Sequence, residues 1–238
     1  MSDITPELLE QIRMARKKPR EEQETSFLNT RESLVPVAES PTTLESADFV
    51  YEGKNDAGIV IQRIPYKNNL MEGMMTSYDD RGSLLCEIPF IKGKKEGVGI
   101  FYINGIKASE IPFQNDLMHG IFKAYHATGG LSMEASYKES YMDGDLLAYD
   151  ETGALLKKET YAMGVKNGVS QTFYPSGKIY EEITFENNIP VNQSTAYHEN
   201  GKPMAIKYYK DGKLVLIELY DDTGKLQENK SLGEAING

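Results

Sequence analysis

The chain has 238 residues, with 36 acids against 26 bases and a formal net charge of −10. That excess disfavours generic binding to nucleic acid or to an anionic membrane surface, because phosphates repel it. The single cysteine, Cys86, excludes an internal disulfide framework, and no apolar stretch is long enough to span a bilayer. The segment Met1-Ser2-Asp3-Ile4-Thr5-Pro6-Glu7 has neither the basic start nor the apolar core of a secretory signal. A cytoplasmic protein is the expectation.

The first elements are distinct from the rest. Thr5-Pro6-Glu7 predicts a helix start, with a capping hydroxyl, a proline in the first turn and an acid at the positive end of the dipole. Leu8, Ile12 and Ala15 fall on one helical face, and Arg16-Lys17-Lys18 closes the helix before Pro19. A helix of about 13 residues is marginal alone, so Leu8 and Ile12 are candidate contacts, either to the chain's own sheet or to a partner. The basic run is followed at once by Glu21-Glu22-Gln23-Glu24 and reads as a solvated helix end. From Pro19 to Ser46 the chain is polar and turn-rich, the composition of a linker. Residues 1–49 are therefore assigned to a helix and linker.

A 24-residue period follows. Gly73, Gly97, Gly120, Gly144 and Gly168 recur in phase, with Asn192 after them. Five residues after each stands an aromatic: Tyr78, Tyr102, Tyr125, Tyr149, Phe173 and Tyr197. A second glycine and a second aromatic complete each unit, as in Gly153 and Tyr161. Such a period marks an array in which each unit packs mainly on its neighbours. Within a unit, Met74-Met75-Thr76-Ser77-Tyr78 and Ser83 to Phe90 read as strands around the turn Asp79-Asp80-Arg81-Gly82. Ile91-Lys92-Gly93-Lys94-Lys95 reads as a longer polar turn, and Gly or Pro recurs too often for helix. The expectation is a mainly β fold: an elongated antiparallel meander of repeated hairpins, about fourteen strands at two per unit, over residues 50–226, with a tail over 227–238. A four-residue loop would set Tyr78 opposite Ser83 and put Tyr78 and Phe90 on opposite faces. The shorter loop Ile103-Asn104-Gly105 would need a shift or a bulge.

The segments Tyr51-Glu52-Gly53-Lys54-Asn55-Asp56-Ala57-Gly58, Lys92-Gly93-Lys94-Lys95-Glu96-Gly97 and Phe173-Tyr174-Pro175-Ser176-Gly177-Lys178 carry a family likeness. The pattern resembles MORN repeats, and more closely the MORN-variant repeat, which includes proteins known as YwqK-type antitoxins of toxin–antitoxin systems. The resemblance implies a repeat β-sheet, a protein-binding role and, as its sharpest form, a bacterial antitoxin or immunity protein. The chain departs from the pattern in lacking tryptophan and in carrying Asn192 at a unit-glycine position.

Charge adds one candidate surface. Glu87, Glu110, Glu134 and Glu182 occupy the position five after the second glycine, with Lys158 and Ile206 as exceptions. Successive units set these about 10 Å apart, two strand spacings. They form either an acidic stripe for a basic protein partner or a solvated polar position. No phosphate loop, nucleophile elbow or zinc-ligand spacing is present; Gly97-Val98-Gly99 lacks a third glycine, and His119, His126 and His198 are scattered. No cofactor, metal or catalytic group is expected. The reading is a non-catalytic protein-binding repeat protein. It acts as an antitoxin against a basic toxin or, alternatively, as a scaffold, adaptor or secretion chaperone.

Overall fold

The computed structural model describes residues 47–232, and every regular element in that span is a β-strand. The expected N-terminal helix with Leu8 and Ile12, the linker and residues 233–238 lie outside the described residues. In chain order the strands are β1 Phe49–Lys54, β2 Val60–Lys67, β3 Leu70–Met71, β4 Gly73–Tyr78, β5 Leu84–Ile91, β6 Lys94–Lys95, β7 Gly97–Ile103, β8 Ile106–Gln114, β9 Leu117–Met118, β10 Gly120–Tyr125, β11 Leu131–Lys138, β12 Tyr141–Tyr149, β13 Leu155–Ala162, β14 Val165–Lys166, β15 Gly168–Phe173, β16 Ile179–Glu186, β17 Ile189–Tyr197, β18 Pro203–Lys210, β19 Lys213–Tyr220 and β20 Leu226–Ser231. The two-residue strands β3, β6, β9 and β14 lead directly into β4, β7, β10 and β15, which leaves sixteen full strands in eight hairpins. The expectation of fourteen is corrected because each partial unit at the flanks folds as a complete hairpin, β1–β2 and β19–β20. The last strand also runs to Ser231, beyond the boundary drawn at 226.

All pairing is antiparallel and between chain neighbours, in one sheet. Among the described residues β1 pairs only with β2 and β20 only with β19, so these two strands are the edges of the described sheet.

Two turn chemistries alternate. Inside a unit, the Asp79 N–H donates to the Ser83 carbonyl and the Gly82 N–H to the Asp79 carbonyl, with Gly82 at φ 84°. This is a three-residue loop that ends on a left-handed residue. The Asp79 carboxylate also accepts the Arg81 and Ser83 N–H groups, at 2.9 and 2.8 Å. Asp150 and Asp221 repeat that arrangement. The connections between units are tighter than the longer polar turn expected. Lys92 and Gly93 have φ 50° and 81°, Asn187 and Asn188 have 50° and 67°, and each pair is a complete two-residue turn. Positive φ at both positions gives the hairpin a twist that matches its strands. Asn104 and Gly105 form the same turn inside the second unit, which accounts for its shorter loop.

Register depends on one extra residue. Tyr78 pairs with Leu84, not Ser83, and Ser77 pairs with Cys86, so Leu85 is bulged out. The same step recurs between Ala148 and Tyr149 and between Thr172 and Phe173. The bulge compensates for the shifted partner, so Tyr78 and Phe90 do lie on opposite faces.

One face holds every buried side chain. Ile88, Phe90, Ala124, Ala135, Tyr161, Ala196 and Ala205 are buried, as are Glu159, Ser170 and Ser194. Cross-strand pairing places all of them on the same side, here termed the core face. No second layer covers it among the described residues; large rings cover their neighbours instead. At Gly99 a Cβ would lie 3.0 Å from the Phe113 ring and 3.4 Å from the Phe101 ring, so the missing side chain leaves room for both.

Candidate functional site

Along the core face, equivalent positions of successive units form rows across the strands. One row reads Ile88, Ile111, Ala135, Glu159, Ile183, Lys207, and the next reads Cys86, Ser109, Met133, Lys157, Glu181, Ala205. The two rows therefore carry no charge through β11, and charged side chains enter them from β13 onward, at Glu159, Lys157, Glu181 and Lys207, among Ile183 and Ala205. The paired first strands change in step, from Phe122 and Leu146 to Ser170 and Ser194. This switch positions a groove of about 330 Å³ across β13 to β18.

Glu159 is the centre of the groove's charge. Its side chain is 4% exposed and lies 2.6 Å from Lys157 Nζ, while Lys166 Nζ donates to the same carboxylate oxygen. The Tyr161 hydroxyl donates to the other oxygen at 2.8 Å. Burial alone would raise this carboxyl, but the hydrogen bonds from Lys157, Lys166 and Tyr161 outweigh it and hold the pKa at about 2. Lys166 also lies 4.5 Å from the centre of the Phe185 ring, a second stabilising contact for its charge. One hairpin further on, Lys207 Nζ donates to Glu181 at 2.8 Å, and this bond raises the lysine above its ordinary value. Between the two clusters, Thr172 pairs across the strands with both Lys157 and Glu181. Its hydroxyl oxygen is buried and has no hydrogen-bond partner.

The glutamates singled out by the period lie on the opposite face in one transverse row. All four are half-buried, and each is engaged by a neighbour. Glu87 accepts from the Tyr102 hydroxyl at 2.8 Å, and Glu110 from Lys107 at 2.7 Å. Glu134 lies 3.4 Å from the Tyr149 hydroxyl and 3.7 Å from Lys123, and Glu182 accepts from Gln171 at 2.6 Å. In two of these pairs, Tyr102 with Glu87 and Tyr149 with Glu134, a phase aromatic reaches the phase glutamate of the preceding unit. The same face exposes an aliphatic row one residue past the unit glycines: Met74, Val98, Ile121 and Val169, interrupted by Asp145.

Links between units run along both sheet margins. Lys92 N–H donates to the Glu72 carboxylate at 2.7 Å and Asn115 N–H to Glu96 at 2.8 Å, so the acid before a unit glycine holds the next two-residue turn. On the other margin His126 and His198 each place Nε2 3.1 Å from a carbonyl oxygen of the next unit, Tyr149 and Tyr220 respectively. Among the described residues no three His, Cys, Asp or Glu side chains converge as metal ligands.

The sequence reading missed the core-face groove. Its signal was present: Glu159 and Lys207 stand in a row otherwise filled by Ile88, Ile111, Ala135 and Ile183. That row is the period position one past the glutamates, and what the sequence reading left unassigned was the face it occupies.

No curated protein matches the chain. A family model described as the MORN repeat variant matches residues 118–139, 166–187 and 191–211, each segment covering one hairpin of the sheet, β10–β11, β15–β16 and β17–β18.

Proposed function

We propose that this chain works by binding a protein rather than by catalysis, and that it serves as an antitoxin or immunity protein that blocks a bacterial toxin through direct contact. The observation that carries the protein-binding reading is the charged groove of the core face, set in a repeat sheet of MORN-variant hairpins. A hairpin array offers one long, regular surface and few ways to converge distant catalytic groups. The antitoxin reading rests on the family likeness of the repeats. The net charge of −10 draws in a partner with a basic surface over several ångströms of solvent. It equally turns away nucleic acid and anionic membranes, and the lone thiol Cys86 suits the cytoplasm.

The test is capture of the partner from the native host, identification by mass spectrometry, and an assay of the captured protein. Expression of that protein alone is expected to arrest growth, and co-expression of this chain is expected to restore it. A captured protein that is harmless, or equally active when bound, would overturn the antitoxin reading and favour a scaffold, adaptor or secretion chaperone.

A further inference from the structure

The charges of the groove are layered. Glu159 lies at the bottom, 4% exposed, while Lys157 above it is 42% exposed. Lys207 is 35% exposed against 26% for Glu181. Three ammonium groups, Lys157, Lys166 and Lys207, face two carboxylates, so one positive charge is left over in a chain that is otherwise strongly acidic. The groove therefore carries one net positive charge, and Lys157 and Lys207 are its most exposed charged groups, ahead of Glu181 and the deeper Lys166. The carboxylates beneath hold the lysines in place and still leave N–H donors, because an ammonium carries three. The Thr172 hydroxyl, buried between Lys157 and Glu181 with no partner, is a polar group that a native structure seldom leaves unmatched.

We infer that the core-face groove over β13–β18 is a docking site for an acidic peptide segment of the partner, with Lys207 and Lys157 receiving a carboxylate and Thr172 completing the contact. The argument is charge complementarity: a locally positive concavity within a negative protein selects the one anionic stretch that a basic partner presents, and so sets the orientation of the complex. The site spans the width of five neighbouring strands, about 19 Å at the usual strand spacing. That accommodates about six residues of extended chain. This inference rests on the protein-binding reading and gives the partner's contact its chemistry.

The experiment uses the full chain and a fluorescein-labelled hexaglutamate peptide, followed by fluorescence anisotropy at low ionic strength. Saturable binding to the wild-type protein is expected, against the general repulsion of a net negative chain. Lys207→Gln is expected to weaken it about tenfold, the scale of one charge-assisted hydrogen bond. Thr172→Val, which removes only the unmatched hydroxyl, is expected to weaken binding severalfold while the melting temperature holds or rises. Absence of saturable binding to the wild-type protein would overturn the inference, as would equal affinity in both variants. Tighter binding of a labelled oligothymidine would overturn it too, by making the groove a nucleic-acid site. Growth rescue by partner co-expression does not depend on this result, so failure of the groove assignment is distinct from failure of the functional reading.

Discussion

At the scale of single residues, Glu159 and Gly144 show how the sheet tolerates chemistry that burial would normally forbid. Glu159 stays ionised under almost complete burial because two lysines and a tyrosine hydroxyl address it. Its folded pKa, about 2, is below the ordinary 4.5. A depressed carboxyl stabilises the fold above its unfolded pKa, and that contribution is lost as pH falls through the folded value. The difference corresponds to roughly 3 kcal/mol. The stability gap between the wild-type protein and Glu159→Gln, from urea denaturation, should therefore narrow between about pH 4.5 and about pH 2. A gap independent of pH would contradict this account of Glu159. Gly144 has φ 118°, and a Cβ there would lie 2.9 Å from the Ser136 Cβ. Gly144→Ala should cost about 2–4 kcal/mol, combining the left-handed conformation with the clash. In a double-mutant cycle, Ser136→Gly should recover the steric part alone. An additive cycle would show that the close approach is not the constraint.

At the scale of the hairpin, the two turn types decide what could be read in advance. The period, the strand pairs and the polar loops closing on glycine were legible because glycine and aspartate mark such turns through their backbone chemistry. Asp79 was legible as a turn residue for the same reason, and the structure shows its carboxylate on loop N–H groups, an arrangement that Asp150 repeats. The register was not legible, since Leu85 and its equivalents are bulged without any unusual residue to announce it. Without the register the faces stayed unassigned, and with them the groove. The phase glutamates were visible as a pattern, but their partners were not, because Tyr102 and Tyr149 meet them from the following unit. The two-residue turns between units were also misjudged, as Glu139, Ser140 and Met163 carry positive φ although such residues seldom adopt it. Met163 has φ 49° and is 59% exposed, directly before Gly164. Met163→Asn would recreate the Asn104-Gly105 pair and should raise stability by about 0.5–1 kcal/mol. A fall in melting temperature would mean that the methionine makes a contact beyond the turn.

At the scale of the whole described region, stability belongs to neighbouring hairpins rather than to a central core. Each strand pairs only with its chain neighbours, and turn N–H groups of one unit bond to the unit before, as Gly164 does to Met142 at 2.7 Å. Asn192 takes φ 59° at the unit-glycine position, so the array continues through it to β20. Such an array should behave as a sum of units and interfaces, with cooperativity carried from hairpin to hairpin. It should therefore accept the loss of one complete period but not of half a period. The most direct measurement is circular dichroism with thermal melting on two deletions. Removing residues 120–143 joins His119 to Gly144, retains every turn type and should leave a folded sheet with a cooperative, modestly lowered melting transition. Removing residues 120–131 deletes a single strand, reverses the direction of every later one and should abolish the cooperative transition. If the in-phase deletion unfolds the protein as completely as the out-of-phase one, the 24-residue hairpin is not the unit of this structure.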